Sequence, residues 1–335
     1  MLTYEQFKTE VEKNLAGYLY EEYRDIPLKI VVVEKTNRTL DGIRFDDPSK
    51  TGSITPVIYI DHMYTDYMNN KSLESVMEYY GELMSRSLKE APDVVRIPDL
   101  NEIKDNIVFR LINTEQNRRM LENMPHRQYF DLSIVYYYVK PGDTVSQNAK
   151  IDNYIADRLG LTEEQLFKLA VENTKRILIP TSKPLLDIIS DEMKKNGMSE
   201  EFADIMVSDV PPLYVISNVY NMNGAASILY EDILHETAEK IGDDIYIMPS
   251  STHEVIAIAA SAGDPYMLAE MVREINMAQV ILEERLSNEV YHYDRNLRKV
   301  TLATDVPDKR LDEQTEFREM QHQEPKHEER RTSRG

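Results

Sequence analysis

The apolar positions of the chain change period several times, and each change marks an element. Tyr4, Phe7, Val11, Leu15 and Tyr18 recur on one helical face, and Thr3 with Gln6 has capping-box spacing just ahead of them. Leu28–Thr36 is rich in β-branched residues and predicts a strand. Asp41-Gly42 and Asp46-Asp47-Pro48 carry turn chemistry, and Thr55–Ile60 predicts a second strand, so the two strands are expected to form a hairpin with a long loop. Ser72 opens the clearest helix, with Leu73, Val76, Met77, Tyr80, Leu83, Met84 and Leu88 as its apolar stripe and Pro92 as its stop. Asn106–Ile112 predicts a strand, Asn117–Met124 a short helix stopped by Pro125, and Tyr129–Val139 a long aromatic and β-branched strand ending at the turn Pro141-Gly142-Asp143.

A helical stretch follows. Thr162 and Gln165 repeat the capping-box spacing ahead of Leu166, Leu169 and Ala170. Ser182-Lys183-Pro184 is expected to start another helix that Gly197 stops, and Ser199 to cap a short one carrying Phe202, Ile205 and Met206. Beyond Pro211-Pro212, Leu213–Ser217 predicts a strand. Gly224 then precedes a helix over Ala225–Ile241 with Leu229, Ile233, Ala238 and Ile241 inward. Asp244–Met248 and Glu254–Ser261 predict strands joined by the turn Pro249–His253. Asp264-Pro265 reads as an N-cap followed by proline at the first helical position, with Leu268, Met271, Val272 and Ile275 expected to face the core. Val290–Tyr293 and Lys299–Leu302 predict the last strands.

These elements predict an α+β chain of two packed lobes, with mixed sheets flanked by amphipathic helices. The lobes are expected over residues 1–125 and 126–303, the second with a helical insert at about 151–208. Residues 304–335 are charged, poor in apolar residues and without periodicity, so a disordered tail is expected there.

Composition narrows the class further. The 335 residues carry a net charge of −20 and contain no Cys and no Trp. Without Cys there is no disulfide, thiolate metal site or Cys nucleophile. Met1–Gln6 shows no basic region ahead of an apolar core, and runs such as Ile30–Val33 and Ile256–Ala260 are far shorter than a membrane helix needs, so a cytoplasmic protein is expected. An acidic surface repels nucleic-acid phosphates and anionic lipid, which argues against direct nucleic-acid binding or membrane attachment. It favours a basic protein partner or, as a lesser reading, mimicry of nucleic acid.

The chemistry converges on one segment. Strand Leu213–Ser217, the helix after Gly224 and strand Asp244–Met248 have the spacing of a right-handed βαβ crossover. Parallel strands in that unit bring the loops after their C-terminal ends to one sheet edge, where open α/β sheets bind ligands. One loop carries Asn218, Asn223 and Gly224 into a helix N-terminus; the other carries Ser250, Ser251, His253 and Glu254. Helix N–H groups, hydroxyls and an imidazole are the parts of a small-anion pocket. The plain alternative is ordinary turn and capping chemistry. A serine hydrolase lacks its strand–turn–helix elbow here. His126 and Arg127 form a secondary candidate for a carboxylate or phosphate, the alternative being internal pairing with Asp131 or another acid. His235 with Glu239, and Asp61 with His62 and Asp66, have spacings a metal can use, yet a solvated helix face explains the former better, so no metal and no cofactor are expected.

Several stretches also resemble a known family. They are Leu111-Ile112-Asn113-Thr114 with Asn117, Pro125-His126-Arg127 with Asp131-Leu132, Glu172-Asn173-Thr174, Tyr214–Ser217 with Gly224-Ala225-Ala226, Met248–Val255, and Arg285-Leu286-Ser287 with Val290–Asp294. Together they resemble the bacterial domain-of-unknown-function family numbered 5688, over about Met1 to Val300. The resemblance implies a bacterial cytosolic protein, often carried on mobile elements, and supplies no activity, cofactor or catalytic residue. The leading expectation is a non-enzymatic binding or interaction protein. The alternatives are an enzyme acting on a small anionic or phosphorylated substrate, and an acidic inhibitor that mimics nucleic acid.

Overall fold

The computed structural model describes residues 1–46, 56–69, 71–90, 99–140, 148–195, 212–306 and 311. The stops and turns expected at Pro48, Pro92, Pro141-Gly142-Asp143, Gly197 and Pro211, the short helix after Ser199, and the tail beyond Val306 other than Leu311 lie outside the described residues. The helices are α1 (Tyr4–Asn14), α2 (Ile60–Met68), α3 (Leu73–Glu90), α4 (Leu100–Ile103), α5 (Arg118–Leu121), α6 (Asn153–Leu159), α7 (Glu163–Ile177), α8 (Leu185–Lys195), α9 (Glu231–Ile241) and α10 (Pro265–Gln279). The strands are β1 (Leu28–Lys35), β2 (Arg38–Phe45), β3 (Val57–Tyr59), β4 (Ile107–Asn113), β5 (His126–Tyr129), β6 (Leu132–Val139), β7 (Asn148–Lys150), β8 (Pro180–Pro184), β9 (Tyr214–Asn218), β10 (Ile245–Met248), β11 (Val255–Ala259), β12 (Tyr291–Asp294) and β13 (Lys299–Leu302). This is an α+β chain.

Two compact units divide it. One takes Met1–Phe109, Asn117–Arg127 and Val135–Ile177; the other takes Arg110–Gln116, Gln128–Ile134 and Leu178–Gly335. The chain passes between the units several times, three of these within β4, β5 and β6.

In the first unit the capping box at α1 forms as its spacing predicts: the Thr3 hydroxyl accepts from Gln6 N–H while the Gln6 side chain accepts from Thr3 N–H. Phe7, Val11 and Leu15 then pack with Ile43, Phe45, Ile58, Met63, Val76, Met77 and Met84 in one core. The expected hairpin between the first two strands is corrected: β2 lies between β1 and β3 and pairs antiparallel with both. Asp41-Gly42 is strand, not turn. Gly42 is needed because a Cβ there would lie 2.4 Å from Val57 Cγ1 and 3.1 Å from Val33 Cγ2.

The second unit is built on a six-stranded sheet ordered β13-β12-β10-β11-β9-β8. The expected side-by-side parallel pair is corrected here. β9 and β10 do run in the same sense, but β11 lies between them and pairs antiparallel with each. The helix therefore carries the chain over one strand position, which the returning β11 fills. β8 corrects a second expectation, since Ser182–Pro184 is strand and α8 begins at Leu185. At the sheet edge Pro180 and Pro184 need give no N–H to an outer neighbour, so both are tolerated. The helix expected over Ala225–Ile241 is broken. Gly224–Leu229 is a 3-10 turn, Tyr230 is extended, and α9 starts afresh, so its buried face is Leu234, Thr237 and Ala238.

Candidate functional site

The loop after β9 and the loop after β10 meet at one rim of the second unit. Their contacts are mutual. Gly224 N–H donates to His253 O (2.9 Å), Ala225 N–H to Thr252 O (3.2 Å), and the Ser217 hydroxyl to His253 O (2.7 Å). A Cβ on Gly224 would sit 2.2 Å from Ser217 Oγ and 2.6 Å from His253 O, so only glycine allows this approach. The N–H groups at the start of the 3-10 turn are thus bonded to carbonyls of the facing loop. Asn218 closes its own loop: Nδ2 donates to Met222 O and Oδ1 accepts from Tyr220 N–H, both at 2.9 Å. Asn223 sits in the left-handed region at φ 53°, which asparagine tolerates.

His253 ties the two loops to a third segment. Its Nδ1 accepts from Asn223 N–H (3.2 Å), which places the proton of the neutral ring on Nε2, 3.3 Å from Glu284 Oε1. Both ring nitrogens are therefore engaged. The Ser251 hydroxyl accepts from His253 N–H (3.0 Å), while Ser250 O accepts from Leu286 N–H (3.0 Å). Neither serine is held against an imidazole nitrogen, as a general-base pair requires. Glu254 is half-buried, and that burial raises its carboxyl above the usual range.

The other sequence candidates are separate from this rim. Arg127 forms a fork with Glu163 (3.0 and 2.8 Å), reaches Glu164 (2.5 Å) and lies over the Phe167 ring. Its partners are α7 acids and not Asp131, and they raise its guanidinium pKa further. His126 Nδ1 bonds Met124 O at 2.9 Å. Asp61 accepts from Tyr4 OH and Asp41 N–H, whereas Asp66 pairs with Lys71 and Tyr80, so these two acids hold different partners. Glu239 pairs with Arg295. Among the described residues no group of three or more His, Asp or Glu could hold a metal ion.

A concave site does exist on the second unit, on side chains that the sequence did not mark as site candidates. A cavity of about 260 Å³ is walled by Ile228 and Leu229 of the 3-10 turn, Glu231 and Leu234 of α9, Tyr129 and Phe130 at the β5–β6 turn, and Tyr293 with Arg298–Val300 of the last hairpin. Two of these walls hold unusual backbone. Phe130 has φ 54° and Arg298 φ 53°, and among the described residues they alone, other than Gly and Asn, have positive φ. In the two-residue turn Phe130-Asp131 only the first position is left-handed, a place that normally takes glycine. A left-handed residue with a Cβ costs about 1–2 kcal/mol.

Surrounding bonds hold both positions. The Phe130 ring packs on Tyr129 and Tyr291 with centroids at 4.8 and 5.4 Å. Asp131 accepts from Ser287 OH (2.6 Å) and Tyr291 OH (2.5 Å). Burial raises the Asp131 carboxyl above its usual range, against the opposing pull of those two hydroxyls. Arg298 gives Nε and Nη2 to the two oxygens of Glu231 (2.6 and 2.7 Å), and Tyr293 OH donates to Glu231 at 2.6 Å. These donors hold the Glu231 carboxyl below its usual range, Arg298 first. Arg298 pairs with Glu231, and Lys299 also lines the cavity. Phe130 and Arg298 gave no sequence signal, because no Gly or Asn announces the left-handed backbone there.

Fold and site together give an α+β protein on antiparallel sheets, with a cavity lined by aliphatic and aromatic side chains and by Glu231, Arg298 and Lys299. Within that class, the chain belongs to the family of unknown function DUF5688, whose profile it matches across residues 4–295. The match takes in the whole loop rim and ends just before Arg298, Lys299 and Val300. No curated protein and no solved structure matches the chain. Among the described residues no helix is long and apolar enough to cross a membrane.

Proposed function

We propose that the protein is a non-enzymatic binding protein that holds a small apolar anion in the Phe130–Arg298 cavity. The observation that carries this reading is the pair of left-handed, non-glycine residues facing one concave space. Backbone strain that folding does not need is kept where the strained side chain has work to do. Aromatic and aliphatic walls suit a flat apolar ring, and Arg298 Nη1 with Lys299 suits a carboxylate, sulfonate or phosphate on its edge. In this reading Asn218, Asn223, Gly224, Ser250, Ser251, His253 and Glu254 fix the 3-10 turn that carries Ile228 and Leu229, and do not themselves touch ligand. The engaged nitrogens of His253 favour binding over acid–base chemistry. The family resemblance adds a bacterial cytosolic setting, with mobile elements as its genetic context.

Thermal unfolding with naphthalene-2-carboxylate and its neutral carboxamide tests this. The acid is expected to raise the melting temperature more than the amide, as preferential binding to the folded state requires. The rise is expected to vanish in Arg298→Gly/Lys299→Gln, which keeps its fold because glycine suits φ 53°. No rise with the acid, or an equal rise in the double variant, overturns the proposal.

A further inference from the structure

A second surface of the same unit has a different chemistry. α10 is anchored by Ala269, Val272 and Asn276, and the first two join Met248, Ile258 and Val290 in a small core. Asp264 caps it by accepting from Tyr266 and Met267 N–H, so the helix start is fixed. Its outer face is not the charged face a solvated helix usually presents. Met267, Met271 and Ile275 stand at i, i+4 and i+8, at 75%, 43% and 38% exposure, where the sequence reading had put Met271 and Ile275 in the core. Beside that stripe runs a ladder of acids, Glu270 and Glu274, also four apart. Arg273 approaches Glu270 only to 3.8 Å, and Glu274 has no ion pair among the described residues.

We propose that this face of α10 docks a basic amphipathic helix of a partner protein. Two unbranched methionines and an isoleucine offer an adaptable apolar strip, the kind of surface that accepts helices of varied shape. The adjoining acids select Lys and Arg on the incoming helix, and the net charge of −20 draws such a partner from a distance. A second copy of this chain fits poorly, because pairing two α10 faces sets one glutamate ladder near another in a chain already repelled by its own kind.

The test is fluorescence anisotropy of a labelled Leu/Lys amphipathic peptide of about 18 residues added to the full chain, with a scrambled peptide of the same composition as comparison. Saturable one-to-one binding is expected, at least about tenfold tighter than for the scrambled peptide. Met267→Ser/Met271→Ser/Ile275→Ser and, separately, Glu270→Lys/Glu274→Lys are each expected to weaken it about tenfold. Neither change should alter thermal unfolding, since the altered side chains are exposed. Equal binding of the scrambled peptide, or no effect of either set of substitutions, overturns the proposal. So does a dimer in sedimentation that the triple substitution dissolves, because the stripe is then a self-interface.

Discussion

Asp131 shows how one residue sets both a turn and a pH response. Its carboxylate receives the hydroxyls of Ser287 and Tyr291, yet burial still holds its pKa above the ordinary 3.8. The folded chain therefore keeps that proton to a higher pH than the unfolded chain does. Stability linked to Asp131 is full below about 3.8 and falls as pH rises through the folded value. Asp131→Asn removes this fall and, like the protonated acid, offers one donor and one acceptor to the two hydroxyls. The variant should match the parent in acid and melt increasingly above it as pH rises. A gap that stays constant from acid to neutral pH in paired thermal melts contradicts the assignment. Of the residues that matter here, Gly224 and His253 were legible because turn chemistry marks them. Phe130 and Arg298 were not, since a left-handed conformation is read from Gly or Asn and neither is present.

Among elements, helix α1 and the strands of the last hairpin appear where periodicity and capping residues put them. The misplacements share a physical origin. Gly42 inside β2 carries the mark of a turn, but its role is to admit Val57 and Val33 from the flanking strands. Ser182-Lys183-Pro184 looks like a helix start, and only the position of β8 at the sheet edge makes its prolines compatible with pairing. α10 is apolar on more than one side, so its period does not choose the buried face. The insertion of β11 between β9 and β10 is invisible to local pattern because any of the three strands could occupy the middle. What that insertion produces is direct contact between the loops at Gly224 and His253. Gly224→Ala should push them apart and destabilise the fold by about 1–3 kcal/mol, or a few degrees of melting temperature per kcal/mol for a unit of this size. An unchanged melting temperature refutes the proposed tightness of that contact.

On the scale of the molecule, a net charge of −20 coexists with a cavity rim where Arg298 and Lys299 outnumber Glu231. An acidic chain disfavours anions at long range, so an anion site must act locally, within the roughly 10 Å over which 0.1 M salt leaves charges unscreened. The acidic ladder of α10 follows the general charge, so the two proposals call for ligands of opposite sign. Family membership over residues 4–295 covers the loop rim and most of the cavity wall. Methyl-labelled NMR of the full chain locates the ligand most directly. Added naphthalene-2-carboxylate is predicted to shift the methyls of Ile228, Leu229, Leu234 and Val300 and to leave Met267 and Met271 unmoved. Shifts confined to the α10 methionines, or none in the cavity methyls, contradict the proposal that this space binds an apolar anion.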